Sequence, residues 1–331
     1  MRFGLALPQY DFSLPAEGPI RWPSVLGWAQ RAEALGFSSV WLSDHLFYDL
    51  GRYGGSSGRQ RALECFTGLG ALSAATSRVR LGTLVACNDF RNPAVLAKMV
   101  STLDVLSGGR VELGLGAGWY EAEYRAAGIP FRSHRTRVGH LSEAVQIVRG
   151  MLSQGRLSFD GRHYRLEDAR CLPPPGQPRL PVFVGGRGDR IARLAGRHAD
   201  GFNSVWAWEP EAFAQRVELV NHAAADAGRD PSEVRKTVGL YTLPGRTERE
   251  ISARWQRYVA CGPSGRPEHA FYRRWAQDKL AGTYDQMAER IRRFEEVGVT
   301  EMILTFGSLP FQICDPEAVD EFVEEVAPLV I

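Results

Sequence analysis

The amino-acid sequence predicts an α/β fold of the (β/α)8 TIM-barrel type. Short β-branched runs alternate with longer segments of three- and four-residue apolar spacing almost from end to end. The runs number eight and each is followed by a helical pattern, which is the count of this barrel. No Pro- or Ser-rich linker divides the 331 residues, so a doubly wound sheet with a second domain is the weaker reading. The expectation is one barrel domain over 1–331.

The elements follow in order. "FGLALP" (3–8) is the first strand, and its helix follows as "SVLGWAQRAEALG", stopped at Gly36. "SVWLSD" (39–44) precedes "ALECFTGLGALSAATS", and "VRLGTLV" (79–85) precedes "PAVLAKMVSTLDVLSGG". There Pro93 opens the helix behind Asn92, a residue that caps well. "RVELGLG" (110–116) precedes "RVGHLSEAVQIVRGMLSQG", and "PVFVGG" (181–186) precedes "RIARLAGRHA". "GFNSV" (201–205) precedes "EAFAQRVELVNHAAADAG", which should stop at Gly228. "KTVGLYT" (236–242) leads to "TYDQMAERIRRFEEVG", with capping-box spacing from Thr283 to Gln286 and a stop at Gly298. "EMILTF" (301–306) and "PEAVDEFVEEVAPLV" complete the set.

Two stretches exceed an ordinary connection and read as insertions after strands four and seven. Residues 154–180 carry turn residues and alternation that predict a hairpin followed by an extended segment. Residues 243–281 hold an arginine excess, seven arginines against three glutamates within 246–274. That excess fits either a solvated, partly helical loop or a surface facing an anion.

Bulk properties narrow the function. Hydrophobic residues make up 44% and charged residues 24%, enough for a packed core. A formal net charge of +2 calls for neither nucleic acid nor an anionic membrane. "MRFGLALPQY" reads as a strand, not a signal peptide, and no window approaches the roughly 18 apolar residues of a membrane span. The cysteines (65, 87, 171, 261 and 314) are odd in number, far apart and without CxxC spacing, so neither a disulfide framework nor a zinc site is expected. The cytoplasm is the expected compartment.

In a barrel the C-terminal ends of the strands share one mouth. The residues there are Gln9, Asp44 with His45, Cys87 with Asn88, Trp119, Gly185 with Gly186, Trp206, Tyr241 and Phe306. That set is rich in aromatic and small groups and poor in carboxylates and metal ligands, so it suits a planar, mostly apolar ligand and no metal. His45 is the strongest candidate for chemistry, because imidazole serves as acid or base near neutral pH; a hydrogen-bonded loop histidine is the alternative. His134, His140, His163, His198, His222 and His269 read as structural or solvated. Trp119 stands in "GLGAGWYEAEY", ahead of Glu121 and Glu123. Neither Gly-x-Ser-x-Gly nor a Walker sequence occurs.

The turn "VGGRGDR" lacks the third glycine of a dinucleotide fingerprint and follows the fifth strand instead of the first. It reads as a phosphate clamp at a helix N-terminus, built on Gly185, Gly186 and Gly188 with Arg187 or Arg190 adding charge, or else as a plain tight turn.

Together, "SDHL", "LGTLVACNDFRNPAVLAKMVSTLDVLSGGRVELGLGAGWYEAEY", "GRHYRLEDARCLP" and "PVFVGGRGDRIARLAGRHADGFN" resemble the luciferase-like flavin and deazaflavin oxidoreductases, most of all the bacterial branch that uses coenzyme F420. The resemblance runs from residue 1 to about 206 and returns at "AGTYDQMAERIRRFEEVGV"; residues 243–281 stand outside it. It implies a luciferase-like TIM barrel with the cofactor ring at the mouth and the cofactor phosphate on the glycine turn. His45 matches the family's active-site histidine, a non-proline cis peptide falls near Leu84–Val85, and Asn88 stands beside the cofactor. Trp119 replaces an acidic residue that some deazaflavin dehydrogenases carry after the fourth strand, which argues against sugar-phosphate chemistry.

The implied activity is a coenzyme F420-dependent oxidoreductase that moves a hydride between C5 of the ring and a small organic substrate, with His45 hydrogen-bonding or protonating that substrate. A homodimer is expected, and Arg254, Arg257, Arg273 and Arg274 are expected to face the coenzyme's glutamate tail. The alternatives are an FMN-dependent monooxygenase on the same barrel and a non-catalytic flavin-binding barrel.

Overall fold

A computed structural model describes residues 1–53, 58–262 and 271–330. Eight parallel strands form a closed barrel: β1 (Arg2–Ala6), β2 (Ser39–Leu42), β3 (Arg80–Thr83), β4 (Val111–Gly116), β5 (Val182–Gly185), β6 (Gly201–Trp206), β7 (Arg235–Gly245) and β8 (Val299–Thr305). Each pairs in parallel with its sequence neighbours, and β8 returns to β1 with Arg2 opposite Glu301 and Leu5 opposite Leu304. All eight coincide with the eight β-branched runs of the sequence.

Local chemistry sets the helix ends. Asn92 accepts from the Ala94 N–H ahead of the Pro93 helix, and Thr283 with Gln286 closes a reciprocal capping box. Gly36, Gly228 and Gly298 leave their helices at φ of +85°, +70° and +89°, the left-handed region that glycine enters without a Cβ clash.

Both insertions form. Arg156–Asp160 and Arg165–Arg170 pair antiparallel as the expected hairpin. After β7, helix Glu248–Cys261 leads to residues 263–270, which include His269 and lie outside the described residues. The chain returns through Leu280–Thr283, a strand that extends the sheet beyond β7 with Thr242 opposite Leu280. That extra strand was not anticipated. Among the described residues no helix is long and apolar enough to cross a membrane.

The arginine expectation for this insertion is corrected. Arg254 is 3% exposed and its guanidinium bonds Asp315 at 2.8 Å and both Glu321 oxygens at 2.8 Å. Arg257 bonds Asp315 at 2.6 Å. These ion pairs staple the inserted helix to the segment after β8, and neither side chain lines the barrel mouth. Arg273 and Arg274 are exposed and line no part of the barrel mouth.

The N-terminal end of the barrel is plugged by buried charge. Glu112 and Glu301 are each 1% exposed. Arg235 bridges them, with 2.9 Å to Glu112 Oε1 and 2.9 Å to Glu301 Oε2, and Arg80 and Arg2 complete the set. Above them Trp41 donates to Ser39 Oγ at 2.7 Å and fills the interior where Gly82 leaves space. A Cβ on Gly82 would lie 2.2 Å from the indole.

Candidate active site

A cavity of about 460 Å³ opens at the C-terminal mouth, a volume suited to a cofactor or a medium-sized ligand. Its wall includes His45, Leu84, Val85, Trp119, Gly185, Gly186, Arg187 and Gly188 from the sequence-based set. Asn88 and Arg190 are not on it. Asn88 is buried behind the wall, donating to Tyr164 OH at 3.2 Å on the inserted hairpin, and Arg190 is exposed on helix Asp189–His198. Of the other strand-end residues, Trp206 lines the cavity. Gln9 is used to bond the Ser43 backbone, Phe306 lies in the core, and Tyr241 packs with the insertion.

The loop after β2 is tied down by two carboxylates. Asp44 accepts from Cys87 N at 2.9 Å and from both Arg91 Nη atoms at 2.6 and 3.0 Å, joining the ends of β2 and β3. Glu123, 2% exposed on the short helix Glu121–Ala126, lies 2.7 Å from His45 Nδ1 and accepts from Leu46 N at 2.6 Å. A carboxylate at that distance keeps a proton on Nδ1, so Nε2 of the neutral ring is the acceptor. The Trp119 ring stands edge-on to His45 at 5.4 Å and stacks on Tyr120 at 5.2 Å. The residue the sequence reading missed is Glu123. Glu121 and Glu123 look alike in "WYEAEY", and only helix register buries one of them, on the face it shares with Tyr120 and Tyr124.

Burial pushes the Cys87 thiol up to about 12, against the hydrogen bond it shares with Tyr124 OH at 3.1 Å. It is a neutral wall group and not a nucleophile.

The peptide between Leu84 and Val85 is cis, where the resemblance placed one. The Val85 side chain then rests on three glycines. A Cβ on Gly114, Gly116 or Gly185 would come within 2.8, 2.6 and 2.6 Å of its methyl groups. Gly185 therefore has a packing reason besides any ligand: it makes room for Val85. A second non-proline cis peptide, Val205–Trp206, was not anticipated. On the glycine turn, Gly186 N donates to Asn203 O at 3.0 Å, while helix Asp189–His198 starts at Gly188 with no side-chain cap.

Gly116→Ala is expected to cost about 1–3 kcal/mol through overpacking against Val85. Adding Val85→Ala should recover part of the loss in chemical denaturation; a purely additive double variant would show that the two positions do not share this contact.

His134 and Arg137 also line the cavity, from the first turn of helix His134–Gln154. This corrects the reading of His134 as a bystander. Its cause is tertiary: the helix starts against the mouth.

The sequence model of the luciferase-like monooxygenase family matches residues 1–301. The chain is 41% identical over 217 residues to an F420-dependent glucose-6-phosphate dehydrogenase of Intrasporangium calvum, covering 63% of this chain and 62% of that protein. It thus spans less than two thirds of that relative's length. It is 33% identical over 235 residues to the pyrimidine monooxygenase RutA of Acinetobacter baylyi, covering 69% and 61%. In fold it resembles an F420-dependent secondary alcohol dehydrogenase solved with an F420–acetone adduct, with a TM-score of 0.77, 24% identity, and 100% and 99% of the two chains covered. A closed eight-stranded parallel barrel with this mouth, and a family match over nearly the whole sequence, lead to one conclusion: the chain belongs to the luciferase-like monooxygenase family.

Proposed function

We propose that this chain is a coenzyme F420-dependent oxidoreductase acting on a small organic substrate at the barrel mouth. The observation that carries the reading is the shape of one cavity: Val85, seated on three glycines, faces the same space as a histidine fixed by a buried carboxylate. Aromatic walls and an apolar bed fit a planar ring. The relatives' F420 dependence supports a deazaflavin as that ring.

When bound, the deazaflavin supplies hydride transfer at its C5. The protein's part is orientation and proton handling. Val85 and Leu84 support one side of the cavity, Trp119 and Trp206 shield it from water, and His45 Nε2 accepts a proton from the substrate hydroxyl or returns one to a carbonyl. Glu123 holds His45 in that tautomer and balances the charge it gains. We read residues 1–331 as one domain and the protein as a cytoplasmic homodimer.

The second reading is an FMN-dependent monooxygenase on the same barrel, supported by the likeness to the pyrimidine monooxygenase. Titration of the apo-protein with coenzyme F420 and with FMN, followed by absorbance, separates the two. Tight deazaflavin binding and weak FMN binding are expected. The reverse order of affinities overturns the proposal.

A further inference from the structure

We infer that Cys261 and Cys314 form a redox-active dithiol, a second reactive site outside the barrel mouth, which hydrogen peroxide closes to a reversible disulfide. The two are 53 positions apart and stand in no CxxC pair, so spacing alone does not join them. Cys261 is the last residue of the inserted helix Glu248–Cys261, and Cys314 lies in the segment after β8. The fold brings their thiols into hydrogen-bonding contact. Neighbouring contacts hold the two segments together around the pair. Gln312 Nε2 donates to Cys261 O at 3.2 Å, and Asp315 accepts from Arg254 at 2.8 Å and from Arg257 at 2.6 Å.

The other three cysteines are arranged differently. Cys65, Cys87 and Cys171 are buried, and each thiol meets an oxygen: Leu42 O at 3.8 Å, Tyr124 OH at 3.1 Å and Ala97 O at 3.6 Å. Cys261 and Cys314 are both partly exposed, which opens them to a small oxidant in solvent.

The pair divides into a nucleophile and a resolving thiol. The hydrogen bond from Cys314 holds the Cys261 thiol below the ordinary cysteine range, while burial pushes Cys314 above it. The thiolate is the attacking form, so Cys261 reacts first. Its sulfur takes one oxygen of the peroxide, the O–O bond breaks, and the departing hydroxide is protonated to water, leaving a sulfenic acid. The Cys314 sulfur gives up its proton and attacks the Cys261 sulfur. The S–O bond breaks, the S–S bond forms, and a second water leaves. Together the two thiols lose two electrons, and the peroxide is reduced to two waters. A small dithiol reverses the bond by exchange.

The place of the bond gives it a consequence. Gln312 Oε1 accepts from the Ser308 and Leu309 N–H groups at 3.0 Å each, inside the loop whose Pro310 and Phe311 line the cavity. Closing the disulfide fastens that loop to the inserted helix. The chemistry needs no cofactor, so it stands apart from the function proposed above.

The test exposes the reduced full chain to hydrogen peroxide under native conditions, alkylates the remaining thiols, and maps unreduced peptides by mass. The expected result is an intrachain Cys261–Cys314 crosslink, formed at least about tenfold faster than Cys65, Cys87 or Cys171 is oxidised and removed by dithiothreitol. In Cys314→Ser the sulfenic acid on Cys261 should persist and be trapped by dimedone. In Cys261→Ser neither crosslink nor sulfenic acid should form at the same dose. The inference is overturned if wild type keeps both thiols, crosslinks only between chains, or carries Cys261 to a sulfinic acid without the bond. A crosslink that forms no faster than the buried thiols react overturns it as well. These wild-type outcomes need no variant to fold.

Discussion

His45→Ala is expected to lower kcat/KM by roughly 10²–10⁴-fold, the usual range for losing a positioned acid or base. The imidazole lines the cavity with its geometry fixed by a second group, Nδ1 lying 2.7 Å from Glu123. F420 affinity should change much less than turnover, because Val85, the glycines and the aromatic walls are untouched. Glu123→Gln should lose turnover as well: with its carboxamide oxygen on the Leu46 N–H, its NH2 donates to His45 Nδ1 and puts the ring proton on Nε2, and it cannot balance an imidazolium. Steady-state turnover with any substrate that changes the deazaflavin absorbance, alongside coenzyme titration, checks both. Equal losses of turnover and coenzyme affinity in His45→Ala would place the histidine in binding and not in chemistry.

Arg235→Met is expected to destabilise the barrel by about 3–5 kcal/mol, since it strips two buried carboxylates of their shared counter-ion. Arg235 bonds both Glu112 and Glu301 at 2.9 Å, and neither carboxylate can reach water. Burial, followed by the charge of Glu301, raises Glu112 to about 7 even in the intact protein. A carboxyl raised from about 4.5 when unfolded to about 7 when folded takes up a proton on folding between those values. Its contribution to stability is therefore complete below pH about 4.5 and is lost as pH rises through about 7. Denaturant unfolding across that window should show stability falling with pH, with a flatter profile in Glu112→Gln. An Arg235→Met protein as stable as wild type would mean that Arg2 and Arg80 alone neutralise the plug.

Much of the fold was legible because its signals are local. Period-two and period-3.6 patterns, the Asn92 and Thr283 caps, and the stops at Gly36, Gly228 and Gly298 act within one helical turn or one strand. His45 and the Leu84–Val85 bulge were readable for another reason: they lie at strand ends inside motifs that resemble a family. The arginines of the insertion misled because composition cannot tell a solvated guanidinium from Arg254, which is held by Asp315 and Glu321 from the far end of the chain.

The sequence by itself determined the element order, the eight-fold count and the place of the mouth, because backbone sterics and hydrophobic periodicity act on neighbours along the chain. Only the tertiary structure decided which side chains meet there. Closure of the barrel brings Glu123 to His45, sets Val85 on glycines from β4 and β5, and turns Arg187 onto Val205 and Ala207. Those contacts join residues far apart in sequence. They depend on strand register and helix placement, which no short window encodes.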